Sequence, residues 1–319
     1  MNIKITVLSL FLICSFAFNA IGQAEYPFPV KYIALHIEQK NVKMVYMDVA
    51  AQGREKGAVV LFHAKNFNGY YWKDVAGFLS AKGYRVVIPD QVGWGKSDPA
   101  DLHYSFHMLA ANNKALLDSL HISKVIVIGH SMGGMLATRF ALMYPDAVEK
   151  LVLENPIGLE DYRTFVPYNS IDSQYKTELS ATFDSYKKYM QSYFPEWKPE
   201  YDELVRQQAA ALNGPVFKQV AWANALTYDM IYEEPVCYEF KNVKAPTLLI
   251  IGQADRTIVG KDKVPAKLLA THGQYPDLGK ITHAQIPGSK LVELPGVGHI
   301  PHIQVFEKFK AVVSEFLDK

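Results

Sequence analysis

Gly129-His130-Ser131-Met132-Gly133 sets a serine between two glycines, directly after the apolar run Val125 to Ile128 and directly before a stretch with helical patterning. A tight strand-to-helix turn pushes its central residue into strained backbone geometry and exposes the side chain. Glycines on both flanks remove the Cβ atoms that would collide with neighbouring chain. The helix that follows adds free N-terminal amides and a dipole that favours an anion. In that setting Ser131 reads as a nucleophile rather than a helix N-cap.

A serine hydroxyl needs a base. His299 lies in Leu294-Pro295-Gly296-Val297-Gly298-His299-Ile300-Pro301, a loop that follows the last apolar run. The C-terminal ends of parallel strands converge on one edge of a sheet, so His299 is expected at the edge that carries Ser131. His302 competes, but Pro301 and the approaching helix give it a structural or helix-capping character. An acid must orient the base, and Asp255 in Gly252-Gln253-Ala254-Asp255-Arg256 follows another strand-like run at the same edge. Glu154, ending the run Lys150 to Glu154, is the rival acid. The order Ser131, Asp255, His299 is the nucleophile–acid–base order of one hydrolase fold. An amide from His63-Ala64-Lys65-Asn66, after the first parallel strand, should join the Met132 amide in holding an oxyanion. Gly95-Lys96-Ser97 suggests a phosphate loop, but that pattern needs glycine at position 90, where Asp90 stands.

These residues need a scaffold. Tyr32 to Glu38 and Lys43 to Val49 alternate apolar and polar residues and predict an antiparallel pair. The runs Val59 to Phe62, Val86 to Ile88, Val125 to Ile128, Leu151 to Leu153, Leu248 to Ile251 and Leu291 to Leu294 are mostly continuous, as expected of parallel strands covered on both faces. Helical patterns separate them, at Tyr71 to Lys82, Ser105 to Leu120, Met132 to Tyr144, Lys261 to Thr271 and Val305 to Leu317. That alternation predicts a doubly wound α/β sheet. From Ile157 to Phe240 no strand run occurs. Tyr175, Leu179, Phe183, Tyr186, Met190 and Tyr193 follow the spacing of one amphipathic helix, and Pro199 and Pro215 can open two more. This aromatic-rich block is expected to lie as a helical insertion over one sheet edge. Most of its aromatics would hold the insertion together, and a few would face a pocket for an apolar or aromatic group.

The chain has 319 residues, 49% apolar and 20% charged, with a net charge of +1, which suggests no polyanionic partner such as a nucleic acid. The start reads as a signal peptide: basic MNIK, an apolar run from Ile5 to Phe18, and Ala20-Ile21-Gly22 before a cleavage point at Gln23. The run is shorter than the roughly 20 residues of a spanning helix. Ile13 before Cys14 speaks against a lipidated cysteine. Cleavage would remove one charge, Lys4, and leave Cys237 as the one cysteine, without a disulfide partner and read as a buried thiol. The expectation is an exported, periplasmic or secreted protein with no stable membrane insertion.

The turn Asp90-x-x-Gly-x-Gly-x-Ser, Gly-His-Ser-Met-Gly-Gly at 129–134, Gly-x-x-Asp at 252–255 and Gly-His at 298–299 together resemble the α/β-hydrolase superfamily, in its esterase and C–C-hydrolase branch. The resemblance covers the mature chain. It implies an eight-stranded, mostly parallel sheet with helices on both faces. The core would be 23–156 plus 241–319, with a helical cap at 157–240. It also implies Ser131 as nucleophile, Asp255 as acid and His299 as base, with no cofactor and no metal. Relatives carry His-Gly where this chain has His63-Ala64. Aligning on the histidine makes the Lys65 amide the oxyanion donor beside Met132, with Asn66 as the alternative. A serine at the nucleophile position argues against epoxide hydrolases and dehalogenases of this fold, which use a carboxylate there. The activity implied is hydrolysis of a small apolar or aromatic ester through an acyl-enzyme. C–C cleavage of a diketone-like substrate is the alternative within enzymes, peptidase and thioesterase readings are weaker, and a non-catalytic ligand-binding protein of the same fold is a different class.

Overall fold

The computed structural model describes residues 25–319, so the segment read as an export signal lies outside the described residues. Eight strands form one sheet: β1 (Val30–Ile37), β2 (Lys40–Val49), β3 (Gly57–Phe62), β4 (Tyr84–Pro89), β5 (Val125–His130), β6 (Val148–Glu154), β7 (Thr247–Gly252) and β8 (Lys290–Leu294). Their order is β1-β2-β4-β3-β5-β6-β7-β8. β2 runs antiparallel to β1 and β4, and every pairing from β4 through β8 is parallel. Of the two alternating segments β1 forms an exposed edge and β2 joins it to the parallel strands, and the continuous apolar runs form the rest of the sheet, with β8 as the opposite, partly exposed edge. β5 and β7 are buried along their whole length.

The helices are α1 (Lys73–Ala81), α2 (Phe106–Ser119), α3 (Met132–Met143), α4 (Ile171–Leu179), α5 (Phe183–Gln191), α6 (Asp202–Ala209), α7 (Phe217–Glu233), α8 (Ala266–Leu269), α9 (Tyr275–Gln285), α10 (Pro301–Gln304) and α11 (Phe306–Leu317). Successive side chains of a strand point to opposite faces, and β3 shows the consequence. Val59 and Leu61 join one apolar layer with Leu79 of α1 and Phe309 of α11, while Val60 and Phe62 join the other with Leu109 of α2 and Phe140 of α3. Among the described residues no helix is long and apolar enough to cross a membrane.

Two helical expectations are corrected. The spacing from Tyr175 to Tyr193 belongs to two helices, α4 and α5, not one. Thr182 breaks the run: its hydroxyl accepts from the Ser185 amide and the Ser185 hydroxyl accepts from the Thr182 amide, a reciprocal cap that starts a new helix. The Lys261–Thr271 pattern holds only a 3-10 turn at Lys261–Lys263 and the single turn α8, because Pro265 lacks the amide a continuing helix needs. The helix that leads into β8 is instead α9, opened by Pro276 just after Gly273, whose φ is +68°.

Candidate active site

Ser131 follows β5, Asn155 follows β6, Asp255 lies three residues past β7, and His299 lies in the loop after β8. Parallel pairing brings these four strand ends to one edge of the sheet. Ser131 has φ +56° and ψ −120°, a conformation that costs a non-glycine residue about 1–3 kcal/mol and survives only when its surroundings hold it. They do so from both sides. The Ser131 amide donates to the Glu154 carbonyl at 3.1 Å, and the Ser131 carbonyl accepts from the Gly134 amide at 2.8 Å and the Ile157 amide at 3.2 Å. The flanking glycines are steric requirements. A Cβ at Gly129 would stand 2.2 Å from the Gly133 carbonyl oxygen, and one at Gly133 would stand 2.1 Å from the Phe62 carbonyl oxygen.

Ser131 Oγ lies 2.9 Å from His299 Nε2, and His299 Nδ1 lies 2.6 Å from Asp255 Oδ2. All three residues are buried. Burial by itself would raise the Asp255 carboxyl, but His299 and hydrogen bonds from His299, Thr257 and Asn155 outweigh it and hold the carboxyl below its ordinary range. Asp255 Oδ1 accepts from the Thr257 amide at 2.9 Å and the Thr257 hydroxyl at 2.7 Å, and Oδ2 also accepts from Asn155 Nδ2 at 2.7 Å. The carboxylate therefore keeps its charge and its orientation. Its bond to Nδ1 leaves the His299 Nε2 lone pair facing the serine hydroxyl.

The loop after β3 is tied down residue by residue. The Gln91 amide donates to His63 Nε2 at 2.9 Å, so Nδ1 carries the proton and donates to the Ala64 carbonyl at 2.9 Å. Burial pushes His63 down to about 4, which keeps this tautomer neutral. The Ala64 amide donates to Tyr71 Oη at 3.0 Å, and the Phe67 amide donates to the Ala64 carbonyl at 3.1 Å. Among the described residues, the Lys65, Asn66 and Met132 amides have no hydrogen-bond acceptor. The Lys65 ammonium lies 3.7 Å from the Glu178 carboxylate at the end of α4.

The rival residues sit elsewhere. Glu154 accepts from the His302 amide at 2.6 Å and from His302 Nδ1 at 2.8 Å, so acid and competing histidine pair with each other rather than with His299. Asp90 turns its carboxylate to backbone, accepting from the Lys96 amide of its own glycine loop at 2.8 Å and from the Gly69 amide of the turn before α1 at 2.7 Å. Cys237 is a half-buried free thiol pushed up to about 11 by burial, so it stays protonated at neutral pH. No cluster of three or more histidine, cysteine or acidic side chains among the described residues is arranged to hold a metal ion.

Most aromatics between β6 and β7 contact one another: Phe194 stacks on Tyr201 at 4.1 Å, and Trp222 meets Tyr175 edge-on at 5.2 Å. Tyr193 differs. Its ring stacks on His299 at 4.7 Å, its carbonyl accepts the His299 amide at 2.8 Å, and its hydroxyl accepts from Asn66 Nδ2 at 3.0 Å. Sequence reasoning placed Tyr193 only in a helical stripe and missed Asn155, Thr257 and Tyr71. A polar residue directly after a strand run was the available signal for Asn155. Nothing local marks Tyr71, which reaches the site from the turn before α1.

Residues 57–304 match the family model described as the α/β hydrolase fold. The crystal structure of a probable hydrolytic enzyme from Pseudomonas aeruginosa PAO1 is similar to this chain, with 45% identity, a TM-score of 0.89, and coverage of 91% of this chain and 95% of that one. A 2-hydroxy-6-oxononadienedioate/2-hydroxy-6-oxononatrienedioate hydrolase of Burkholderia vietnamiensis is 28% identical over 90% of this chain and 95% of its own length. A proline iminopeptidase of Lactobacillus helveticus is 24% identical over 86% of this chain and 94% of its own.

Proposed function

The chain belongs to the α/β-hydrolase family, and on that premise we propose that it is a serine hydrolase that cleaves small apolar or aromatic carboxylic esters through an acyl-enzyme. The observation that carries this reading is the buried line from Ser131 Oγ through His299 to Asp255, at 2.9 and 2.6 Å. His299 takes the serine proton as the hydroxyl attacks the ester carbonyl, and Asp255 stabilises the imidazolium that forms. The Met132 and Lys65 amides receive the oxyanion, which is consistent with their lack of other acceptors. His299 then returns its proton to the leaving alcohol. A water molecule, deprotonated by His299, attacks the acyl-enzyme, and the acid product leaves Ser131. In this reading residues 157–240 act as a cap, and Tyr193 is its contribution nearest to the base.

A second reading, C–C bond cleavage of a diketone-like substrate, is favoured by the curated relatives of the kind named above, which align over nine-tenths of the chain. The family also includes a peptidase relative, so membership leaves the bond to be cleaved open to assay. The deciding experiment compares p-nitrophenyl acetate and butyrate with a 2-hydroxy-6-oxo-dienoate as substrates, using wild type and Ser131→Ala. Ester turnover lost in Ser131→Ala supports the first reading, and turnover confined to the dienoate supports the second. Full activity in Ser131→Ala would overturn both. Export rests on residues 1–22 and is tested by N-terminal sequencing of the native protein, with Gln23 expected first.

A further inference from the structure

His130, the residue before the serine, is buried and has an assigned partner on each ring nitrogen. Nε2 lies 2.8 Å from the His299 carbonyl oxygen, and Nδ1 lies 3.1 Å from Tyr71 Oη. A carbonyl oxygen can only accept, so Nε2 carries the proton and Nδ1 presents a lone pair. The Tyr71 hydroxyl has one proton, and it goes to that lone pair. Its oxygen accepts in turn from the Ala64 amide at 3.0 Å. Every hydrogen-bond direction is therefore fixed: Ala64 N–H to Tyr71 oxygen, Tyr71 O–H to His130 Nδ1, and His130 Nε2–H to the His299 carbonyl.

Electrostatics keep this polarity. Burial first, and then the neighbouring His299 and His302, hold His130 well below the ordinary histidine range, so it stays neutral. Burial also holds the Tyr71 phenol well above its ordinary range, so it keeps its proton. The Tyr71 ring cannot swing away, because it stacks on Phe67 at 4.6 Å and meets His302 edge-on at 4.8 Å. None of the four residues is exposed, so water does not compete for these bonds.

The two ends of this chain are the two parts that must act together. One end is the Ala64 amide, one peptide unit before the Lys65 amide proposed to receive the oxyanion. The other is the main chain of the proposed base. We propose that Tyr71, acting through His130, is a positioning residue that sets the oxyanion loop and the His299 backbone in one register. This rests on the serine-hydrolase reading and goes beyond it, because neither residue belongs to the proposed triad or supplies a proposed oxyanion amide. The role is to hold geometry that matters only when charge develops on the carbonyl oxygen, so its loss should appear in the transition state and not in ground-state binding.

The test is Tyr71→Phe, which keeps the ring packing and removes the hydroxyl. Activity on the best ester is measured together with the affinity of a trifluoromethyl ketone, which forms a tetrahedral adduct with the serine. We expect kcat to fall about tenfold or more with KM changed less than threefold, and ketone affinity to fall by a factor similar to that in kcat/KM. Two further variants separate the links and serve if Tyr71→Phe does not fold. His130→Gln can still donate toward the His299 carbonyl but drops the Tyr71 acceptor. His130→Asn can still accept from Tyr71 but does not reach His299. Both should reproduce the kcat loss. Unchanged kcat and ketone affinity in folded variants would overturn the proposal, as would a loss of activity that merely tracks the unfolded fraction. Ser131→Ala in the same assay separates the two failures: if it stays active, the serine-hydrolase reading is wrong, and if it is dead while Tyr71→Phe and the His130 variants are normal, only the positioning role is wrong.

Discussion

Asn155 shares with the imidazole one oxygen of Asp255: its Nδ2 donates to Asp255 Oδ2 at 2.7 Å while its Oδ1 accepts from the Gly252 amide at 2.9 Å. One side chain therefore ties the end of β6 to the turn that carries Asp255. Asn155→Ala should strand the buried Gly252 amide and loosen the carboxylate, lowering stability by about 1–3 kcal/mol and reducing kcat more than it raises KM. Asn155→Asp should be worse for activity although it is nearly isosteric. It sets a second carboxyl against Asp255, so one of the two must take up a proton or both must repel. Urea unfolding and steady-state kinetics on both variants check this, and an Asn155→Asp enzyme more active than Asn155→Ala would contradict it.

Ser131 carries backbone strain that, in the proposed reading, serves the reaction and not the fold. Ser131→Ala should lose at least about a thousandfold in kcat and unfold within a few degrees of wild type. Ser131→Gly should be equally inactive, yet no less stable than Ser131→Ala. Glycine occupies φ +56° without the Cβ penalty, and this relief offsets its larger loss of chain entropy. Thermal denaturation of the two variants side by side measures that balance.

The residues most legible in the sequence are those in the loops that follow strands, although Asn155, directly after β6, was passed over. Ser131, Asp255 and His299 lie far apart along the chain, but parallel strands end at one edge, so a chemical residue just past each apolar run already has its address. The same logic reached His63 and its loop. It failed for Tyr193 and Tyr71, whose places depend on how the helical segment and the turn before α1 pack, which no strand periodicity encodes. It failed again at Thr182, where a reciprocal cap between two small polar side chains outweighs a continuous 3–4 apolar stripe. The sheet pattern survives because the inner strands β3 to β7 bury both faces. The starts of α4 and α5 rest on single capping residues, Ser170 and Thr182, which composition hides.

The approach of the Ser131 turn to β3 predicts an asymmetry among glycine substitutions. At Gly133 an added methyl would meet the Phe62 carbonyl oxygen at 2.1 Å, a backbone atom in a buried strand that has no room to move. Gly133→Ala should therefore destabilise by several kcal/mol or prevent folding. Gly77, on α1, meets nothing within 4 Å at the corresponding position and has no left-handed backbone. Gly77→Ala should stabilise by about 0.5–1 kcal/mol through helix propensity. Chemical denaturation midpoints decide it, and a harmless Gly133→Ala would show that the turn after Ser131 does not touch β3 as described.

His63 makes stability depend on pH in a direction that can be worked out. In the folded protein burial pushes it down to about 4, whereas an unfolded histidine titrates near 6.5. Between these values the unfolded chain binds the extra proton and the folded chain refuses it, so stability is fully present above pH 6.5 and falls as the pH drops toward 4. From pH 7 to pH 5 the loss from this one group amounts to about 2 kcal/mol. His130, held neutral by burial as well, acts in the same direction. A His63→Gln variant keeps a side-chain acceptor and a donor near the Gln91 amide and the Ala64 carbonyl but has no proton to take up. It should start less stable at pH 7 and lose less on acidification than wild type does. Urea titrations of both proteins at pH 7, 6 and 5 measure the two slopes, and parallel slopes would mean that His63 is not the group resisting protonation.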